Sequence, residues 1–257
     1  NVSPLIYEQV GGTFVRRAQL TGDNVRGQIW SLRGVDLDRD GDLDLTVTNR
    51  DGPSLIFTNF APVLKPNLTP VPATTIITGS RATAPAASVA WGDLNGDGLA
   101  DLAFGAGPST AGPNALSSKV YLSTRSVFNR NDEVAIGGFG PHAVALADVN
   151  NDATPDLAVG TPQGVFVYLA GALYSPAWTS DPPFAATTAL AWGDYDDDQD
   201  MDLLVASSDG PLRLYRNRRG ENATLLTSSP VWSSTEISNS QAIAWADLNG
   251  DNYLDFV

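Results

Sequence analysis

The sequence predicts an all-β protein, a β-propeller of five four-stranded blades with the chain ends meeting in one blade. Three observations predict it. Five acidic nine-residue stretches recur in register, starting 57, 55, 46 and 53 residues apart. Short apolar or alternating runs flank each stretch, bounded by Gly, Pro, Asn and Asp. No segment shows the 3.6-residue apolar period of an amphipathic helix. A repeat of this length, built from strands at this density, fits propeller blades.

The elements of a unit follow in order. The first strand is the apolar run before each acidic stretch: SLRGVD, VAWGD, AVALAD, LAWGD and AIAWAD. The second is the run after it: LTVTN, LAFGA, LAVGT and LLVAS. A third lies at LIFTN (55–59), KVYLS (119–123), VFVYL (165–169) and LRLYRN (212–217). A looser fourth is seen at SPAWTS (175–180) and SPVWSS (229–234). The fifth unit stops at DFV (255–257), inside its second strand, and SPLIYEQ (3–9) at the other end resembles the third strand PSLIFTN (53–59). Joining the last acidic stretch round to the first leaves 46 residues, within the internal spacings. The expectation is one domain over 1–257, closed by backbone pairing of two strands from each end, which leaves no bare sheet edge.

The bulk numbers bound the class. Hydrophobic content of 42% against 17% charged indicates a folded chain, and 24 Gly with 17 Pro indicates many turns. There is no cysteine, so disulfides and thiolate metal sites are excluded. No apolar run is long enough for a membrane-spanning helix, so no membrane insertion is expected. The chain begins at Asn1 without a signal sequence, and is read as a segment of a processed or larger protein. Net charge is −14, which argues against nucleic acid as a partner.

That charge is concentrated. Twenty of the 29 acidic residues lie in the five stretches. Carboxylates this close repel unless something neutralises them. Ca²⁺ does so with six to eight oxygens at about 2.3–2.6 Å. Positions one, three, five and nine supply side chains, and position seven a backbone carbonyl. The candidate ligands are Asp36, Asp38, Asp40, Asp42 and Asp44 in the first loop; Asp93, Asn95, Asp97, Leu99 and Asp101 in the second; Asp148, Asn150, Asp152, Thr154 and Asp156 in the third; Asp194, Asp196, Asp198, Asp200 and Asp202 in the fourth; and Asp247, Asn249, Asp251, Tyr253 and Asp255 in the fifth. Up to five Ca²⁺ would offset most of the negative charge. An EF-hand is excluded, because it needs flanking helices and Glu at position twelve. Here position twelve is Val47, Phe104, Val159 or Val205. Loops one and two carry Gly41 and Gly98 at position six, where a sharp turn favours glycine. Loop three ranks weakest. Loop four, with Asp197 added, should bind well or depend strongly on metal.

SVAWGDLNGDGLADLAFGAGP (88–108) and DLAVGTP (156–162) resemble the FG-GAP/VCBS repeat of integrin α-subunit propellers and bacterial surface proteins. The resemblance covers nearly the whole chain. It implies a propeller with Ca²⁺ in the hairpin loop between the first two strands of each blade. Integrin-type rings are expected to have more repeats than the five counted here.

The expected function is a calcium-stabilised extracellular or cell-surface adhesion module. It is monomeric and non-catalytic, with a protein or glycan partner at one ring face. Sequons at Asn1, Asn67 and Asn222 are compatible with a surface location. A lectin is the alternative, with Trp178 and Trp232 as possible platforms, although a Trp at a fixed blade position more often packs in a core. The same core reading applies to Trp91, Trp192 and Trp245. An enzyme, or an accessory domain of one, is less favoured. His142 is the only histidine, and acids outside the loops, such as Asp132 and Glu133, are few.

Overall fold

The computed structural model describes residues 5–19, 29–37, 39–41, 43–49, 54–58, 69–70, 86–106, 118–124, 127–136, 143–181, 186–220, 225–237 and 239–257. Every regular element in them is a strand. No helix of the described residues is long and apolar enough to cross a membrane.

Four antiparallel sheets of four strands carry the middle of the chain. Blade one is β3 (Ile29–Val35), β4 (Asp44–Asn49), β5 (Leu55–Thr58) and β6 (Thr69–Pro70). Blade two is β7 (Ala86–Gly92), β8 (Asp101–Ala106), β9 (Ser118–Thr124) and β10 (Val127–Ile136). Blade three is β11 (Ala143–Ala147), β12 (Asp156–Thr161), β13 (Gly164–Tyr168) and β14 (Trp178–Thr179). Blade four is β15 (Thr187–Gly193), β16 (Asp202–Ser207), β17 (Arg213–Tyr215) and β18 (Trp232–Ser233). Each strand pairs with the next in sequence, so each blade is a meander.

The core lies between blades. Val149 and Trp178 of blade three pack with Leu203, Val205 and Tyr215 of blade four. Leu94 and Val120 of blade two pack with Leu157, Val159 and Tyr168 of blade three. Leu37 and Ile56 of blade one meet Leu102, Phe104 and Tyr121 of blade two. The second strands explain the pattern. On β12, Leu157 and Val159 face blade two while Ala158 faces blade four, so the strand is buried on both sides. Side chains alternate along a strand, and two covered faces give a continuous apolar run. Close stacking also needs small residues. A Cβ on Gly193 would lie 2.7 Å from the Trp245 ring, and one on Gly92 would lie 2.8 Å from Leu146 Cδ1.

The chain ends form hairpins. β1 (Leu5–Val10) and β2 (Thr13–Gln19) form one two-stranded sheet, and β19 (Trp245–Ala246) and β20 (Asp255–Phe256) form another. Among the described residues there are four complete blades and two hairpins, with no ladder joining the ends. Gly11 and Gly12, both at positive φ, close the first hairpin, as tight hairpin turns require. Its Ile6 then packs against Val47, Leu55 and Phe57 of blade one. At the other end, β19 lies beside β15, and Trp245 Nε1 donates to Ala191 O at 3.2 Å.

Candidate metal centres

The acidic stretches join the first and second strands of their sheets, so all five loops occur at equivalent places in the repeat. Their backbone is shared. Position four has positive φ in every loop, at Arg39, Gly96, Asn151, Asp197 and Gly250. Position six does too, at Gly41, Gly98, Ala153, Gln199 and Asn252. For a non-glycine residue the left-handed region costs roughly 1–2 kcal/mol. Ala153 and Gln199 adopt it nonetheless, so the side-chain oxygens of the loop must hold the backbone there.

They do so by accepting backbone N–H groups. In loop two, Asp93 Oδ1 accepts from Asp97 N at 3.1 Å and Asp93 Oδ2 from Gly98 N at 2.6 Å. Asn95 Oδ1 accepts from the same Asp97 N at 2.9 Å, and Asp97 Oδ1 from Leu99 N at 2.8 Å. Loop three repeats this with Asp148, Asn150 and Asp152. Loop five repeats it with Asp247, Asn249 and Asp251. Loop four keeps the bonds to Asp194 and Asp198. Loop three, which its three aspartates rank weakest in the sequence, holds its backbone as loops two and five do. In loop one, Gly41 N donates to Asp36 Oδ2 at 3.1 Å, while Asp38 and Asp42 lie outside the described residues.

Position nine has a structural duty that the sequence did not reveal. Asp101 Oδ2 accepts from Leu94 N at 2.8 Å and Oδ1 from Ser123 N at 2.7 Å, tying the loop to the third strand. Asp156 does the same with Val149 and Ala170, and Asp202 with Tyr195 and Asn217. All three side chains are buried. Burial pushes Asp101 up to about 6 and Asp202 up to about 7, outweighing the N–H bonds that each accepts. Burial raises Asp156 likewise. Elsewhere the shift runs the other way. The Thr154 hydroxyl first, then Asn150, holds exposed Asp152 below the usual carboxylate value.

The donor set suits a hard cation: every candidate ligand offers oxygen. Asp194, Asp196 and Asp202 each present an oxygen within 4.8 Å of the others. Asp36 Oδ1 is buried and, among the described residues, accepts no hydrogen bond. A bare carboxylate oxygen buried in a loop is costly without a cation or donor.

The lectin candidates separate. Trp178 is buried and packs edge-on against Tyr215, with ring centroids 5.2 Å apart, so it is core. Trp232 is 42% exposed and packs on Phe256 at 5.5 Å. Trp91 is half-buried, and its Nε1 donates to Thr46 Oγ1 of the preceding blade at 2.9 Å. Asn1, Asn67, His142 and Asn222 lie outside the described residues, as do the side chains of Asp132 and Glu133.

The repeat geometry has a counterpart in known families. The FG-GAP-like repeat matches residues 148–205 and 194–257, and the FG-GAP repeat matches residues 86–122. This chain is an FG-GAP repeat protein. The matched segments include loops two to five and cover more than half of the sequence. No curated protein matches the chain.

Two solved folds are similar to this FG-GAP chain. The crystal structure of BBS1N in complex with ARL6DN, soaked with mercury, is 18% identical with a TM-score of 0.54, over 95% of this chain and 65% of that one. The lead-soaked crystal of the same complex gives 18%, 0.55, 95% and 66%. The Vibrio cholerae biofilm matrix protein Bap1 is 17% identical with a TM-score of 0.52, over 88% of this chain and 34% of that one. At these identities the likeness is one of fold. The FG-GAP chain spans about two thirds of the first structures and a third of Bap1. FG-GAP repeats on a propeller-type all-β scaffold fit a binding module.

Proposed function

We propose that this FG-GAP chain is a calcium-stabilised, non-catalytic binding module that acts outside the cell. Its partner is a protein or glycan, met by loops at one end of the blades. The observation that carries the reading is the shared loop backbone. Five oxygen-rich loops hold positions four and six in the left-handed region, three of them with a non-glycine residue at position six. FG-GAP repeats commonly bind calcium, and an ion bound only by the folded state stabilises it. The similarity to a biofilm matrix protein supports an extracellular setting. The test is an array of glycans and matrix proteins, probed with calcium and with chelator. Calcium-dependent capture of one class is expected. Capture of none, or turnover of a captured polysaccharide, overturns the reading.

The same proposal has the two terminal hairpins share a blade. Third-strand aromatics lie opposite the residue after position nine: Phe57 faces Leu45, Tyr121 faces Leu102, Tyr168 faces Leu157 and Tyr215 faces Leu203. At the C-terminal hairpin that residue is Phe256, and Tyr7 is the aromatic of LIY. A groove of about 660 Å³, lined by Trp232, Trp245, Leu248 and Phe256 among others, lies where a third strand would run. Leu248 is 62% exposed there, whereas its counterpart Leu94 is fully buried. The chain has no cysteine, so Tyr7→Cys with Phe256→Cys gives a clean reading. Oxidation is expected to crosslink within one chain at monomer mass. A crosslink between chains, or none, overturns closure.

A further inference from the structure

Position three sets loop four apart from loops two, three and five. In loops two, three and five it is Asn, whose Nδ2 donates to the position-five carboxylate. Asn95 reaches Asp97 Oδ2 at 3.2 Å, Asn150 reaches Asp152 Oδ2 at 2.9 Å, and Asn249 reaches Asp251 Oδ2 at 3.0 Å. In loop four both positions are aspartate, Asp196 and Asp198, and neither ionised side chain can donate. The missing donor arrives from the third strand. Arg216 Nη2 donates to Asp198 Oδ2 at 3.1 Å, and Arg216 Nε lies 2.7 Å from Asp196 Oδ2. The Nε–H is not aimed at that oxygen, so the second contact is an ion pair rather than a directed hydrogen bond. Three residues on, Arg219 Nε pairs with Asp200 Oδ1 at 3.0 Å, and Arg219 Nη1 donates to Asn150 O of loop three at 3.2 Å.

The arrangement belongs to blade four. The residue after the third-strand aromatic is Thr58, Leu122 and Leu169 in the other complete blades, and Arg216 here. A planar guanidinium bridging two carboxylates is a geometry that arginine favours.

We infer that Arg216 is a resident cation of loop four. It holds positions three and five together in the metal-free protein and gives up those oxygens when calcium binds. The inference rests on the calcium reading above. A divalent ion ligated by Asp196 and Asp198 would sit within a few ångströms of the guanidinium, and like charges that close repel. Calcium must therefore displace Arg216 from the loop. Loop four, despite its six aspartates, then binds calcium more weakly than loops two, three and five. It also loses less of its shape when calcium is withdrawn.

The test compares the whole chain with Arg216→Gln by thermal melting, in excess chelator and in excess calcium, together with a calcium titration. In chelator the variant is expected to melt about 2–4 °C lower. In calcium the difference closes, and one site in the titration tightens roughly tenfold. Should Arg216→Gln fail to fold, Arg216→Met keeps the apolar stem, removes the charge and carries the same comparison. An equal loss in both media, no loss in either, or a weakened site overturns the exchange. The ions that wild type retains after desalting separate the two readings. Several ions with equal melts sink only the role of Arg216. No ions sink the calcium reading, and the exchange falls with it.

Discussion

Withdrawing calcium with a chelator is expected to lower the melting temperature by roughly 15–30 °C. An ion held at a hundred times its dissociation constant contributes about 2.7 kcal/mol. Loops two, three and five share one complete hydrogen-bond pattern, and three such sites together supply about 8 kcal/mol. That rivals the whole stability of an ordinary domain, about 5–15 kcal/mol. At about 2–4 °C per kcal/mol, the shift is large. Loss of the ions also leaves the carboxylates clustered within each loop to repel one another. Calorimetry with and without chelator measures it, beside an ion count on the desalted protein. An unchanged melt with no ions would mean that the loops are turns held only by their own amides.

The second large effect concerns position nine. Asp101→Ala is expected to destabilise the chain by about 2–6 kcal/mol, because it strands the N–H groups of Leu94 and Ser123, each worth about 1–3 kcal/mol when buried unpaired. Denaturant unfolding in chelator reads this without the metal contribution. A loss below 1 kcal/mol would mean that water replaces the carboxylate. A pH signature accompanies it. The folded pKa of Asp101 lies at about 6 and that of Asp202 at about 7, both above the 3.8 of an unperturbed aspartate. The folded state therefore binds these protons more tightly than the unfolded state. Their contribution is fully present below 3.8 and is lost as pH rises through about 6 and about 7. In chelator, the protein is expected to melt higher at about pH 5 than at about pH 7.5. With calcium bound the slope reverses, because protonation of the ligands releases the ion. Parallel profiles in the two media would mean that the position-nine carboxyls and the metal are not coupled.

Much of the architecture is legible in the sequence because it is local. The acidic loop closes within nine residues, and each meander pairs strands that are neighbours along the chain. The β5, β9, β13 and β17 segments each carry a third-strand pattern that is visible in the sequence. Glycine at position six of two loops pointed to a sharp turn, yet Ala153, Gln199 and Asn252 take the same conformation. Position four carries no shared residue type, and only backbone geometry exposes its positive φ. Trp178 and Trp232 look equivalent in the sequence. Tyr215 of the next blade covers one, and the short C-terminal hairpin leaves the other half open.

By itself the sequence determined the repeat, the strand order within blades and the oxygen-rich loops, since each is written in residues close together along the chain. Only the tertiary structure decided which aspartates are buried, where Arg216 lands and how the chain ends pack. Those depend on partners brought together by strand pairing within a blade and by stacking one sheet on another: Asp101 meets Ser123 of the paired strand β9, and Asn217 reaches Val149 of the preceding blade at 2.8 Å. Sheet stacking is driven by apolar burial, which is non-directional, so the polar contacts it creates leave no local pattern to read.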